Sequence, residues 1–334
     1  MQLAYIFKRL LLAIPTLFGV AIIVFALIRL VPGDPIAMMI PPGASDDDIQ
    51  KLRAFYGLDQ GILQQFLIWI SAAMQGDLGQ SISLRSDVSG LILGRLPATL
   101  ELVIFSLMIA MCLAFLIVFA GVYFRETWLE SLINGITGFV QAIPDFLWGL
   151  ILLLVFGALI PLLPISGRLN PSLIFDPVTE FYLIESLLRG DIPVFANLLS
   201  HLLLPSLALS LPLAAILARI FKASTKEMMS QDFVSLAQVK GYSKSRVIVR
   251  VAMRNALIPT VTLTGVQLTF LIGGTVLIEH IFAYPGLGNL AISAVLQRDF
   301  PLIQGLILSF ALLFILVNRI VDLSYAWLDP RLRK

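Results

Sequence analysis

The sequence predicts an all-α, polytopic membrane protein with about six transmembrane helices. Three observations carry that expectation. Hydrophobic residues make up 58% of the 334-residue chain and charged residues only 13%, about half the charged fraction of a soluble domain. Lipid must therefore cover much of the exterior. Six stretches meet or approach the roughly 20 apolar residues that a helix needs to cross hydrocarbon, where no water satisfies the backbone. Lysine and arginine gather in alternate connections, as topology requires. The net charge of +2 gives no reason to expect a nucleic-acid partner. Cys112 is the sole cysteine, which excludes an intrachain disulfide.

Residues 1–31 read as an N-terminus and a first span, Leu10–Leu30. Lys8 and Arg9 precede it, as in a secretory signal, but the apolar run is long for one. Pro32-Gly33-Asp34-Pro35 follows where a small-residue cleavage site would stand, so the span is expected to be retained. The segment 32–97 is mainly polar and too long for a bare turn, so it is expected to form small helices on the outer side. Within it, Ser45 before Asp46-Asp47-Asp48 reads as a helix N-cap. Residues 98–334 are expected to form a five-helix core. Its spans are Leu102–Tyr123, a third within Ile133–Ile160 containing Pro144 and Asp145, and Leu198–Ala218, which carries Pro205 and Pro212. Leu257–Ile278 and Phe300–Val317 complete the set.

Orientation follows from the basic residues. The loop 222–257 carries Lys222, Lys226, Lys240, Lys244, Arg246, Arg250 and Arg254 against Glu227 and Asp232. The C-terminus adds Arg331, Arg333 and Lys334. The loop 161–197 has two arginines against Asp176, Glu180, Glu185 and Asp191. Both termini and the 222–257 loop are thus expected to face the cytoplasm, and 32–97 and 161–197 to face outward.

The basic loop reads as two short helices. Asp232 is expected to cap the first, Gly241 to close it in the left-handed conformation, and Ser243 to cap the second. Arg246, Arg250 and Arg254 recur every four residues beside Val247 and Val251. Composition leaves two readings open, a helix lying on anionic headgroups and a helix that docks a protein.

Other residues carry less. Asp145 is a candidate for the translocation path, because charges at membrane depth usually face a cavity or a partner; a kink residue near one membrane face is the plainer alternative. His201 and His280, far apart and without cysteines nearby, make a poor metal site and are expected to form hydrogen bonds. No metal ligands are expected. Gly273-Gly274 is expected to serve helix packing, and Pro32, Gly33, Asp34 and Pro35 to fix the exit from the first span.

A resemblance then emerges from several runs together. Ser235-Leu236-Ala237-Gln238-Val239-Lys240-Gly241, followed by Arg254-Asn255-Ala256-Leu257-Ile258-Pro259, resembles the cytoplasmic loop of ABC importer permeases. The usual opening acidic residue is replaced by Ser235, and Leu236 stands where alanine is common. Pro32–Pro35, Gly76-Asp77-Leu78-Gly79-Gln80-Ser81, Arg95-Leu96-Pro97-Ala98-Thr99-Leu100-Glu101-Leu102 and Asp329-Pro330-Arg331 match the oligopeptide, dipeptide and nickel group. So does Glu279-His280-Ile281-Phe282 with Tyr284, Pro285, Gly286, Leu287 and Gly288, where Glu279 is expected to make a structural contact.

The resemblance covers nearly the whole chain and implies a type I ABC importer permease fold in a bacterial inner (plasma) membrane. It implies that Ser235, Leu236, Ala237, Lys240 and Gly241, with Arg246 and Arg250 beyond them, form a coupling loop held by an ATP-binding subunit. It further implies a second homologous permease, two ATP-binding subunits and an extracytoplasmic substrate-binding protein. ATP and Mg would be bound by those partners, since none of the 23 glycines is followed by lysine, as a phosphate-binding loop requires. Selectivity would rest largely with the binding protein. The alternative, a stand-alone secondary transporter or channel, usually shows internal repeats, and none is found. An enzyme would need a convergent nucleophile, base or metal set, and no such motif is present.

Overall fold

The computed structural model describes residues 2–30, 45–55 and 59–328. Among the described residues, thirteen α-helices follow one another: α1 (Gln2–Leu30), α2 (Asp46–Phe55), α3 (Ile62–Met74), α4 (Val88–Tyr123), α5 (Trp128–Ala142), α6 (Asp145–Leu153), α7 (Tyr182–Leu188), α8 (Ile192–Met229), α9 (Asp232–Val239), α10 (Lys244–Arg246), α11 (Arg254–Ile281), α12 (Leu287–Leu296) and α13 (Phe300–Leu328). Wider π-helical turns occupy Leu154–Leu159 and Val247–Met253. Among the described residues there is no strand, only an isolated bridge between Gln80 and Asp87. Pro32, Gly33, Asp34, Pro35 and the Asp329-Pro330-Arg331 ending lie outside the described residues.

Among the described residues, four helices are long and apolar enough to cross a bilayer: Val88–Tyr123, Ile192–Met229, Pro259–Ile281 and Phe300–Val321. The first expected span lies in α1, where Ile14–Leu27 is apolar. The third differs from expectation. It is not one helix but the pair α5 and α6, bent by 97°. Proline explains the break, since Pro144 has no N–H to give the Val140 carbonyl and its ring opposes a continued helix. The Trp148 indole N–H donates to that carbonyl at 3.1 Å, so the acceptor that proline frees regains a donor.

Two helices run further than their apolar runs. Helix α4 begins at Val88 because the Asp87 carboxylate accepts the Gly90 N–H at 2.6 Å, and Arg95 and Pro97 are helical. Helix α8 begins at Ile192, where Asp191 accepts the Val194 N–H at 3.2 Å and Pro193 suits the first turn. It continues to Met229, so Lys222 and Lys226 lie on α8 and not in a loop.

The chain forms two compact units. The first comprises residues 1–96 and 290–316. There Phe66 of α3 packs edge-on against Phe18 and Phe25 of α1, and Arg29 donates to Gln65. Ser45 caps α2 as expected: its hydroxyl accepts the Asp48 N–H and donates to the Asp48 carboxylate. The second unit comprises residues 97–289 and 317–334 and is organised around α8, whose buried face runs from Val194 to Thr225.

Candidate functional site: coupling loop, broken span and outer brace

The basic loop, the candidate for coupling, leaves α8 at Met229 and forms α9. Eight residues are too few for an independent helix, so packing must hold it. Val234 and Ala237 are buried against Val247, with Met229 and Val251 alongside. The small Ala237 thus permits close approach within the chain itself. Ser235, Leu236 and Lys240 stand outside. So do Phe233 and Val239, and with Leu236 they recur every three residues as an apolar stripe; Val239 is 85% exposed.

Gly241 closes α9. It holds φ +79°, the Tyr242 N–H reaches the Ala237 carbonyl, and the Gly241 N–H reaches that of Gln238. This is the doubly bonded C-terminal turn that favours glycine. Gln231, not Asp232, occupies the N-cap; Asp232 lies one residue inside, where its charge complements the helix dipole. Ser243 occupies the next cap without a side-chain hydrogen bond.

The expected second helix is mostly the π segment Val247–Met253. Arg246, Arg250 and Arg254 are exposed along it. The Arg246 guanidinium lies 5.1 Å from the Tyr242 ring centre and the Lys244 ammonium 4.7 Å from that of Tyr123. Arg250 and Arg254 help line a 420 Å³ groove with Phe115, Phe221 and Met253.

Asp145 opens α6 at the break in the third span. One carboxylate oxygen accepts the Phe146 N–H at 2.7 Å. The other lies so near α11 that a Cβ on Gly274 would sit 2.7 Å from it. Leu209, midway along α8, is 3.5 Å from the same point. Gly274 therefore serves close packing, while Gly273 has open space around it.

The run from Glu279 to Gly288 forms a brace. Glu279 is wholly buried. Its carboxylate accepts the Thr99 hydroxyl at 2.7 Å, the Gly288 N–H at 2.7 Å and the Asn289 N–H at 3.1 Å, capping α12. Thr99 in turn accepts the Leu287 N–H at 2.8 Å. Gly286 and Gly288 are required: a Cβ at Gly286 would fall 2.4 Å from the Glu279 carboxylate, and one at Gly288 2.4 Å from the Val276 Cα. Pro285 occupies the turn between Tyr284 and these glycines. His280 meets the Asn289 side chain at 3.2 Å, and His201 the Asn197 carbonyl at 2.9 Å.

A second buried contact was not legible in the sequence. Arg168, from the loop 161–197, pairs with Glu101 of α4 at 2.7 Å and donates to the Glu180 carbonyl at 2.7 Å. It also stacks 3.8 Å from the Tyr182 ring centre. Tyr284 is buried beside them, and that burial pushes its hydroxyl above the usual phenol range. Nearby, the Val178 N–H, with the amide and hydroxyl of Thr179 and Arg189, holds the Glu185 carboxyl down to about 2 against the opposing effect of burial.

In the first unit, Asp299 explains the Gly76–Ser81 run. Its carboxylate accepts the Ser81 hydroxyl at 2.6 Å, the Ser83 hydroxyl at 2.7 Å and the Ser83 N–H at 2.9 Å. Burial alone would raise its pKa, yet these bonds hold it below the usual carboxylate range. Gly76 and Gly79 adopt positive φ to make the turn.

Several helices long and apolar enough to cross a bilayer, with a basic, helix-bearing loop between two of them, define a multi-pass membrane protein. Comparison with known proteins makes this specific. The family described as binding-protein-dependent transport system inner membrane component matches residues 114–334, and its N-terminal counterpart matches residues 2–103. The di/tripeptide transport system permease protein DppB of Pseudomonas aeruginosa is 37% identical over 337 residues, 99% of each chain. The dipeptide transport system permease protein DppB of Escherichia coli is 35% identical over 336 residues, again 99% of each. The glutathione transport system permease protein GsiC of Escherichia coli is 36% identical over 332 residues, 99% of each. The chain belongs to this family: it is a multi-pass inner-membrane permease subunit of an ABC importer, of the peptide group, and not itself an enzyme.

Proposed function

We propose that the chain forms half of the translocation pore of a peptide importer, paired with a second homologous permease and driven by two ATP-binding subunits that supply the ATP and Mg sites. A substrate-binding protein delivers the cargo from outside, and both termini face the cytoplasm. Small peptides are the favoured cargo, since the similar permeases named above serve di/tripeptides, dipeptides and glutathione. Helix α9 is the part the ATP-binding subunits grip, and Asp145 borders the path.

The observation that carries this reading is the two-faced character of α9. Its inner face, Val234 and Ala237, is spent on its own chain. Its outer face leaves Phe233 and Leu236 about half exposed and Val239 85% exposed. Helix α9 itself carries an apolar stripe and neither arginine nor lysine, so it suits a groove on another protein better than a headgroup layer, which favours a helix with basic residues on its own polar face. Burying Leu236 in such a groove stabilises the complex by roughly 2 kcal/mol. Leu236→Asp should therefore weaken association with the ATP-binding subunits about thirty-fold, read as loss of copurification, while membrane insertion stays normal. Undiminished copurification and uptake would refute the docking role.

A further inference from the structure

The turn joining α4 to α5 is held from both flanks of the coupling helix. Upstream of α9, two lysines on the last turns of α8 converge on one carboxylate. The Lys222 ammonium lies 2.9 Å and the Lys226 ammonium 2.7 Å from the same Glu130 oxygen. Lys222 also donates to the Asn134 side chain at 2.7 Å. The other Glu130 oxygen accepts the Glu126 N–H at 2.8 Å, and Glu126 is held at φ +66°. Gly121 leaves room for the lysine, since a Cβ there would come within 3.0 Å of the Lys222 nitrogen. Downstream of α9, Lys244 rests 4.7 Å from the Tyr123 ring centre. Further along α5, Arg219 of α8 donates to Gln141, next to the break at Pro144.

An exposed ion pair could not carry a mechanical load, because water competes for both charges. Glu130 and Lys222 are different: each side chain is only 12% exposed. Removing the carboxylate would leave the largely covered Lys222 ammonium and the half-exposed Lys226 ammonium facing one another without a counter-charge, so the cluster favours remaining closed. The chain also supplies an element able to respond. Between α5 and α6 the helical ladder is interrupted and the axis turns by 97°, which allows one arm to swing without bending a continuous helix.

We propose that Glu130, gripped by Lys222 and Lys226, is the positioning residue that delivers movement of the coupling helix to the broken α5–α6 span. This rests on the reading of α9 as the helix held by the ATP-binding subunits. When those subunits close, α8 moves with α9. The charge cluster obliges α5 to follow, and the angle at Ile143–Pro144, beside Asp145, changes. A cluster that merely staples α5 to α8 would leave that angle the same throughout the cycle.

The test uses the complete importer, reassembled in proteoliposomes from both permeases, the ATP-binding subunits and the binding protein. Cys112→Ser removes the native thiol, and spin labels on Leu132→Cys and Leu150→Cys report the separation of the two arms. It is measured without nucleotide and with ADP–vanadate trapped. The arms should shift by several ångströms with otherwise wild-type residues. Glu130→Gln should lose the shift while still trapping vanadate. The reversed triple Glu130→Lys, Lys222→Glu, Lys226→Glu should restore it. Unmoved arms in the parent, a shift that survives Glu130→Gln, or a loss the reversed triple does not repair each overturns the proposal. Copurification is scored first: if the parent chain retains no ATP-binding subunits, it is the docking of α9 that fails, and the linkage fails with it.

Discussion

At the scale of single residues, the family motif beginning at Glu279 has a physical reason. A wholly buried carboxylate is tolerable only when hydrogen bonds replace its water, and Thr99, Gly288 and Asn289 do so. The glycines are there because the carboxylate and the α11 backbone occupy the space a Cβ would need. Gly288→Ala should therefore destabilise the fold by about 3 kcal/mol through overpacking, seen as a lower midpoint of thermal unfolding in detergent. Gly273→Ala, with nothing within 4 Å of its Cβ position, should leave the midpoint near that of the parent. Equal effects would contradict the steric account. The sequence marked Glu279, Gly286 and Gly288 through the resemblance of their run to the permease family. It placed Thr99 and Glu101 in a family run but could not show their partners, nor mark Arg168, because these pairings join residues far apart in the chain and leave no local pattern.

At the scale of elements, apolar runs locate spans better than they locate helices. Helices α4 and α8 continue well past their hydrophobic stretches because caps, not hydropathy, set their ends: Asp87 for one and Asp191 for the other. The break in the third span was half legible. Pro144 announced a disturbance, but whether a proline bends or breaks a helix depends on whether the freed carbonyl finds a new donor, and Trp148 supplies it. Asp145 was legible as a charge in an apolar run; that it packs against Gly274 was not. The outer loop offers a test by pH. Glu185, held down to about 2 in the folded chain, has an ordinary value of about 4.3 when free. Its stabilising bonds are fully present above that ordinary value and are lost as pH falls through about 2. Protection of the amides across residues 176–190, taken relative to each amide's intrinsic exchange rate at the same pH, should hold from neutral pH down to about 5 and fall over the window from about 4 to 2. Glu185→Gln should exchange fast already at neutral pH and show no added change in that window. A wild-type loop indifferent to acid would rule out the role given to Glu185.

At the scale of the whole molecule, the account depends on which surface is left for a partner and on which side of the membrane it lies. Charge counts in the connections are the ground for the proposed side, and the exposed stripe of α9 is the ground for the proposed surface. Val239 is the most sensitive reporter because it is 85% exposed and lies in the stripe assigned to the ATP-binding subunits. The decisive measurement is labelling of Val239→Cys, in a Cys112→Ser chain, with a maleimide that cannot cross the bilayer. The account predicts no labelling from outside intact spheroplasts, rapid labelling in inside-out vesicles stripped of the ATP-binding subunits, and protection when those subunits are added back. Labelling from outside, or labelling unaffected by the added subunits, would contradict it.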